Sequence, residues 1–268
     1  LQPAGAHLME DLFRAGGLRA VLKEVEKHLD RQAINVTAKP LVESLVGAEI
    51  FDPTVIATYA KPLQPEAGIA VLRGNIAPDG AVIKPAAASA NLLVHTGPAV
   101  VFESIEDFHA RIDDPDLDVD ENSVLVLRGC GPKGYPGMPE VSNMAIPKKL
   151  LERGIQDLVR ICDGRMSGTA FGTVVLHVSP EAAAGGPLAL IRSGDLIELN
   201  VPARTINVKI SDTELAARTP SAATLESLAK PTRGWERMYI DHVQQAHLGA
   251  DLDFLRGASG SATPRESH

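Results

Sequence analysis

Two glycine-rich segments, each placed directly after an apolar run, constrain the fold of this chain more than any other feature. The first, residues 131–139, holds three glycines and three prolines in nine residues and follows the apolar run at 123–127. The second, residues 163–172, follows the apolar run at 155–162. Short, β-branched apolar runs are typical of buried strands, so each segment is predicted to be a loop at a strand end. Glycine allows close backbone approach and proline restricts the backbone, so the first loop is also predicted to be stiff.

The two loops also carry the residues with the clearest chemical potential. The first delivers a single carboxylate, Glu140, and the second a hydroxyl, Ser167, with Arg165 two residues before it. A hydroxyl between two glycines and beside a guanidinium is well placed to approach an anion or a metal-bound oxygen. Either loop alone would also fit a simple turn in a β-rich domain. The pair together favours a functional site.

The rest of the sequence predicts many short strands with interspersed helices, which favours an α+β domain with a barrel-like sheet over a doubly wound fold. A turn is predicted at 75–80, and period-two alternation at 193–202 and 205–210 predicts a hairpin. The helical patterns lie at 5–30, with a break at Gly16 and Gly17, at 104–112 and at 234–249.

Composition bounds the functional class. The 268 residues are 44% hydrophobic and 22% charged with a net charge of −8, as in an ordinary globular protein with no general attraction to nucleic acid or anionic membranes. No signal-peptide pattern or membrane-length apolar run is present, so a cytoplasmic location is predicted. Cys130 and Cys162 are predicted to be buried, reduced thiols. A start at Leu1 rather than at methionine agrees with a fragment of a longer protein.

The pairing of GPKGYPGMPEV with CDGRMSGTAFG, followed by HVSPEAAAGG, resembles the dihydroxy-acid and sugar-acid (aldonate) dehydratases, the family that also includes phosphogluconate dehydratase. The similarity covers nearly the whole chain, but it matches only the carboxy-terminal domain of those enzymes. The resemblance implies an α+β fold, the swivelling β-barrel domain of aconitase-type enzymes with surrounding helices. We therefore predict that residues 1–256 form this domain, that residues 257–268 form a flexible arm, and that the amino-terminal cluster-binding domain is absent.

The resemblance also implies roles for individual residues. Ser167 would be the base that takes the proton from C2 of the substrate, with Thr169 beside it, and Glu140 would be a ligand of Mg²⁺. Arg165, by its charge in the second loop, and His268, by similarity of the chain's ending to the sugar-acid branch, are predicted to bind substrate.

An iron–sulfur cluster of the [2Fe–2S] type is the second cofactor that the resemblance implies. Cluster ligation needs three or four protein ligands, and Cys130 and Cys162 are not the family's cluster ligands. We expect the missing amino-terminal domain to hold the cluster. The chain alone is therefore predicted to bind no cluster and to be inactive.

The function implied is that of a hydro-lyase that dehydrates a sugar acid to a 2-keto-3-deoxy acid. The alternative substrate class is a 2,3-dihydroxy acid, as in the dihydroxy-acid dehydratases of branched-chain amino-acid biosynthesis. A non-catalytic module for anion binding or assembly remains open for the isolated chain. The predicted partners are the small-molecule substrate, the amino-terminal domain and further copies in a homodimer or homotetramer.

Overall fold

The computed structural model of this chain describes residues 1–2, 5–63, 68–168, 170–229 and 231–255. Its backbone contacts divide the chain into two compact units, Leu1–Ala67 and Gly68–His268. The predicted domain over residues 1–256 stays a prediction, and the predicted arm at 257–268 lies outside the described residues. Within the described ranges, no helix combines the length and the apolar character needed to cross a membrane.

The first unit is helical, as its sequence periodicity predicts. Helices α1 (Met9–Arg14) and α2 (Gly17–Glu24) are followed by the single turn of α3 (Leu41–Ser44). The predicted break at Gly16 is confirmed, because its φ is +123° and a Cβ atom there would lie 2.3 Å from the carbonyl oxygen of Glu49. A small apolar cluster holds the unit together, with Ala15, Ala20 and Ile56 at its centre.

The second unit is built around a closed barrel of eight strands, which confirms the predicted barrel-like sheet. In chain order the strands are β1 (Ala70–Gly74), β2 (Ala77–Ile83), β3 (Val94–Phe102), β4 (Val124–Leu127), β5 (Val159–Cys162), β6 (Val174–Ser179), β7 (Leu196–Asn200) and β8 (Thr205–Val208). Around the barrel their order is β1-β2-β6-β5-β4-β3-β7-β8. Strands β3, β4, β5 and β6 pair in parallel, whereas β7 pairs with β8 as the predicted antiparallel hairpin.

Among the described residues of the second unit, five short α-helices accompany the barrel strands. Ser104 caps the first of them, since its hydroxyl accepts a hydrogen bond from the Asp107 amide at 3.2 Å. Ser211 caps the third through the Glu214 amide at 3.1 Å. The helices are α4 (Ile105–Arg111), α5 (Lys148–Leu151), α6 (Asp212–Ala217), α7 (Ala222–Ser227) and α8 (Gly234–His242).

Strands β4 and β5 are buried on both faces, which explains the continuous apolar run at β4 and the largely apolar sequence of β5. Arg160, the charged residue of β5, is buried and forms an ion pair with Asp157. Val126 and Ile161 belong to the cluster that fills the barrel. Leu127 and Cys162 belong to a second cluster outside it, together with Phe108 of α4. Strands β4 and β5, which the glycine-rich loops follow, are therefore packed between two apolar cores.

Two sequence predictions are wrong in extent. The turn predicted at 75–80 is shorter, because Asn75 bonds the backbone of Val208 through both atoms of its amide group and β2 begins already at Ala77. The helix predicted over 234–249 ends at His242, because buried Val243 leaves the helix to pair with Leu252.

The barrel core gives a matched test of these packing assignments. Ile161 is fully buried inside the barrel, whereas Ile69 precedes β1 with 70% of its surface exposed. We expect Ile161→Ala to lower the free energy of unfolding by about 2–5 kcal/mol, because the cavity it leaves collapses only in part. Ile69→Ala should change it by less than about 0.5 kcal/mol. Urea unfolding of both variants measures the difference, and equal effects would contradict the barrel assignment.

Candidate active site

The two glycine-rich loops lie side by side at one end of the barrel. Their strands β4 and β5 are parallel neighbours, and Leu127 pairs with Cys162 at the ends where the loops begin. Because parallel strands end at the same edge of a sheet, the loops leave the barrel together. The Ser142 amide donates to the carbonyl oxygen of Arg165 at 3.0 Å and joins the first loop to the second.

The Asp163 carboxylate fixes the start of the first loop. It is fully buried and accepts hydrogen bonds from the amides of Gly129 at 3.1 Å and Cys130 at 2.8 Å. The amide of Ala182 donates a third, at 3.0 Å. Burial and the nearby charge of Glu181 raise the pKa of Asp163 to about 6, against the pull of these three donors. Asp163 therefore ties β5 to the neighbouring loop.

A second buried carboxylate, Glu181, holds the middle of the same loop. Its oxygens accept from the amides of Lys133 and Gly134, each with a bond of 2.9 Å. Gln245 Nε2 donates to Oε1 at 2.6 Å. Backbone donors thus surround a carboxylate that would otherwise be costly to bury.

The glycines at these contacts are required by close approach, as the sequence predicts. A Cβ atom at Gly131 would lie 2.5 Å from Glu181 Oε2. One at Gly164 would lie 2.7 Å from the carbonyl oxygen of Cys130. A side chain at either position would separate the loop from the carboxylates that hold it.

The structure brings together Glu140 and Arg165, which come from different loops. Arg165 Nη1 lies 3.1 Å from Glu140 Oε1, and Arg165 Nε donates to the carbonyl oxygen of Met138 at 2.6 Å. Both charged side chains are nearly half exposed, so the pair adds little to stability. The ion pair matters for position, because it places a carboxylate and a guanidinium next to each other at the end of the barrel.

Ser167 lies two residues beyond Arg165, half-buried in the second loop. Its carbonyl oxygen accepts from the amide of Ala170 at 3.0 Å. Lys84, at the end of β2, places Nζ 3.5 Å from the carbonyl oxygen of Gly168, so a second cation lies beside the loop. Thr169 and His268 lie outside the described residues. The roles of these predicted site residues stay predictions.

The far end of the second loop is also anchored. The Asp157 carboxylate accepts from the Thr173 amide at 3.0 Å and forms an ion pair of 2.9 Å with Arg160. A Cβ atom at Gly172, whose φ is +117°, would lie 1.8 Å from Arg160 Nη2. The loop that carries Ser167 is therefore held at both ends.

Among the described residues, Cys130, Cys162 and Asp163 bring three potential metal-binding atoms within 4.8 Å of one another. The prediction of buried, reduced thiols is confirmed. The neighbouring thiol of Cys162, together with burial, raises the pKa of Cys130, which disfavours the thiolate that a metal requires. The carboxylate of Asp163 is already occupied by three amides. This group does not fit an iron–sulfur cluster.

Sequence reasoning missed Asp163 and Glu181, although both lie in the motifs it singled out. The available signal was an acid within two residues of the end of a strand, followed by a glycine in the case of Asp163, where loop amides need acceptors. Asp163 and Glu181 hold the loops, whereas Glu140, Arg165 and Ser167 are the residues predicted to act on a substrate.

Comparison with known proteins shows the family to which the chain is related. Residues 54–250 match the family described as dihydroxy-acid/6-phosphogluconate dehydratase, carboxy-terminal. The chain is 51% identical over 270 residues to an L-arabinonate dehydratase of Rhizobium leguminosarum bv. trifolii, covering 100% of this chain and 46% of the relative. It is 47% identical to a 6-deoxy-6-sulfo-D-gluconate dehydratase of Pseudomonas putida, covering 98% of this chain and 45% of the relative.

A dihydroxy-acid dehydratase of Desulfatibacillum aliphaticivorans is 41% identical, covering 93% of this chain and 44% of the relative. The chain thus spans less than half the length of each of these relatives. It belongs to the dihydroxy-acid/6-phosphogluconate dehydratase family and corresponds to its carboxy-terminal part.

The hydrogen bonds between Glu181 and the first loop can be tested by substitution. Glu181→Gln replaces one acceptor oxygen by a donor, so we expect hydrogen exchange at the Lys133 and Gly134 amides to quicken about tenfold or more. Removing the charge should also lower the pKa of Asp163 below about 6, because the two carboxylates repel each other. Amide exchange and carboxyl NMR measure these changes.

Exposed Glu152→Gln is the matched control and should leave both quantities unchanged. Unchanged exchange in the Glu181 variant would show that Glu181 does not hold the loop.

Proposed function

We propose that this chain is the catalytic carboxy-terminal part of a hydro-lyase that dehydrates a sugar acid to a 2-keto-3-deoxy acid. The observation that carries the proposal is the contact of Glu140 with Arg165, two residues from Ser167, at the end of the barrel. Identity of 51% with an L-arabinonate dehydratase, against 41% with a dihydroxy-acid dehydratase, favours a sugar acid as substrate. Dihydroxy-acid dehydration is the alternative.

The reaction needs a base at C2 and a leaving group at C3. In the proposed step, Ser167 Oγ takes the C2 proton, and the electron pair of that bond forms the C2–C3 double bond as hydroxide leaves C3. The enol then becomes the 2-keto acid when C3 takes a proton and the hydroxyl at C2 loses one, and the departing hydroxide takes the proton that Ser167 removed and leaves as water. A serine hydroxyl is a weak base, but nearby cations such as Arg165 and Lys84 favour its alkoxide. Thr169 and His268 remain proposed neighbours of this site.

A substrate carboxylate fits the same place. Arg165 already binds one carboxylate, that of Glu140, and its guanidinium is suited to a second anion. A substrate carboxylate bound there would bring C2 towards the loop of Ser167. Arg165 is thus proposed to orient the substrate rather than to move a proton.

Glu140 also fits a metal. Its carboxylate is exposed and offers the hard oxygen ligand that Mg²⁺ prefers, and Mg²⁺ commonly takes one or two carboxylates together with oxygens of the substrate. Bound Mg²⁺ would supply charge stabilisation for the substrate oxygens. We propose Glu140 as one ligand, with the others coming from outside this chain.

The cluster is proposed to belong to the part of the protein that the relatives possess beyond the matched region. Two buried thiols and an amide-bound carboxylate do not supply its ligands here. We further propose that the barrel is the swivelling domain of this enzyme class and that the enzyme is a homo-oligomer.

Iron and sulfide analysis tests the cluster assignment on the chain alone. After anaerobic reconstitution with iron and sulfide, the purified 268-residue chain should hold no stoichiometric cluster and should show no visible absorption from one. A cluster that survives desalting and is lost in a Cys130→Ser or Cys162→Ser variant would contradict the proposal.

Ser167 can be tested in a complete enzyme, made by joining this chain to the amino-terminal half of the L-arabinonate dehydratase of Rhizobium leguminosarum. Ser167→Ala should lower kcat on L-arabonate about 10²- to 10⁴-fold, because general-base catalysis contributes that much. The control, Ser227→Ala, alters an exposed hydroxyl on α7 and should keep full activity.

Turnover in the Ser167 variant equal to that of the parent would remove the proposed base. Assays with several aldonates and with 2,3-dihydroxyisovalerate separate the two substrate classes. If a folded, cluster-loaded enzyme dehydrates neither class, the non-catalytic alternative stands.

A further inference from the structure

A cavity of about 360 Å³ opens beside the two loops, within the second unit. Met138 of the first loop lines it, and the carbonyl oxygen of this residue accepts the hydrogen bond from Arg165 Nε. One residue thus links the cavity to Arg165, the partner of Glu140. Its volume is within the range of roughly 300–1,000 Å³ that is usual for small-molecule sites.

His177 of β6 reaches this cavity because of an irregularity in the sheet. Gly80 pairs with Ser179 and Val82 with Leu176, so one extra residue of β6 is inserted at this point. His177 has a φ of +54°, a left-handed conformation that few residues other than glycine adopt. Bulges of this kind re-aim side chains and are frequent beside active sites.

The backbone of His177 also binds the second loop. Its amide donates to the carbonyl oxygen of Gly164 at 3.0 Å. The same residue thus contacts the loop of Ser167 through its backbone and the cavity through its ring. A bulge here couples the position of the ring to that of the catalytic loop.

The imidazole of His177 has unused hydrogen-bonding capacity. Nδ1 is buried without a hydrogen-bond partner among the described residues, so Nε2 is the polar atom through which the ring can meet a ligand. Burial and the charge of Arg165 lower the pKa of His177, so the ring is neutral and can donate or accept a hydrogen bond.

A few polar groups interrupt the mainly apolar lining of the cavity. Asp79 offers carboxylate oxygens, with His247 Nε2 3.8 Å from Oδ2, and Arg73 also lines the cavity. A small number of polar groups in an apolar lining is the usual arrangement of a small-molecule site, where the polar groups fix the orientation of the ligand.

We propose that this cavity receives the hydroxylated tail of a sugar acid whose carboxylate end lies at Arg165 and Glu140, and that His177 is a specificity-determining residue that bonds a tail hydroxyl. The inference rests on the proposed function and adds the subsite that separates sugar acids from dihydroxy acids with methyl tails. A site built to bond a hydroxyl discriminates against an analogue that lacks it, because its polar groups then stay unpaired.

Histidine side-chain NMR on the 268-residue chain tests the subsite without catalysis. L-Arabonate should shift the ring ¹⁵N resonances of His177, whereas 2,3-dihydroxyisovalerate should leave them in place. His177→Phe should weaken L-arabonate binding about fivefold to tenfold, the effect of one lost hydrogen bond. His177→Asn keeps a hydrogen-bonding group and tolerates the left-handed backbone, so it should restore part of the affinity.

Exposed His109→Phe, on α4, is the matched control and should bind as the parent does. In the joined enzyme, His177→Phe should raise KM for L-arabonate by a similar factor and leave KM for 2,3-dihydroxyisovalerate unchanged. No ring shift with L-arabonate, or equal shifts with both ligands, would overturn the subsite.

The two proposals fail in different ways. If Ser167-dependent dehydration of L-arabonate is intact while His177→Phe changes nothing, the subsite is wrong and the proposed function stands. If no sugar acid is dehydrated but L-arabonate still shifts the His177 ring selectively, the cavity binds aldonates and the catalytic proposal fails.

Discussion

The parallel pairing of β4 with β5 is the constraint on which the candidate site depends. Both strands end at the same edge of the barrel, so the loops that follow them leave side by side. Asp163, the first residue after β5, then accepts amides from the beginning of the loop that follows β4. One buried carboxylate thus bonds the end of β5 to the loop that follows β4. The hydrogen bonds from Ser142 to Arg165 and from Arg165 to Met138 then hold Glu140 close to Arg165.

Burying Asp163 and Glu181 close together is costly, and the raised pKa of Asp163 reflects that cost. The cost is offset because loop amides that would otherwise lack partners donate to both carboxylates. Such loops change shape little when a ligand arrives, since their backbone donors are already bonded. A preorganised site of this kind is what proton abstraction from a weakly acidic carbon requires. The barrel by itself decides none of this, because one fold can carry many reactions.

The strands and loops were predictable because their signals are local. The apolar run at β4, the largely apolar sequence of β5, the alternation at β7 and β8 and the helical pattern from residue 104 each depend on neighbouring residues. The errors arose where distant partners intervene. Asn75 bonds Val208 of the neighbouring strand β8 and shortens a turn, and Val243 pairs with Leu252 and ends a helix early. Periodicity within one segment carries no information about such contacts.

The sequence alone determined the family resemblance, the two glycine-rich loops and the residues that carry charge or a hydroxyl on them. It could do so because glycine, proline and apolar patterning act on the backbone at short range. Only the tertiary structure decided that Arg165 meets Glu140, that Asp163 and Glu181 hold the loops, and that a bulge turns His177 towards a cavity. These relations join residues far apart along the chain, and strand order and register, which emerge when the barrel closes, bring them within reach.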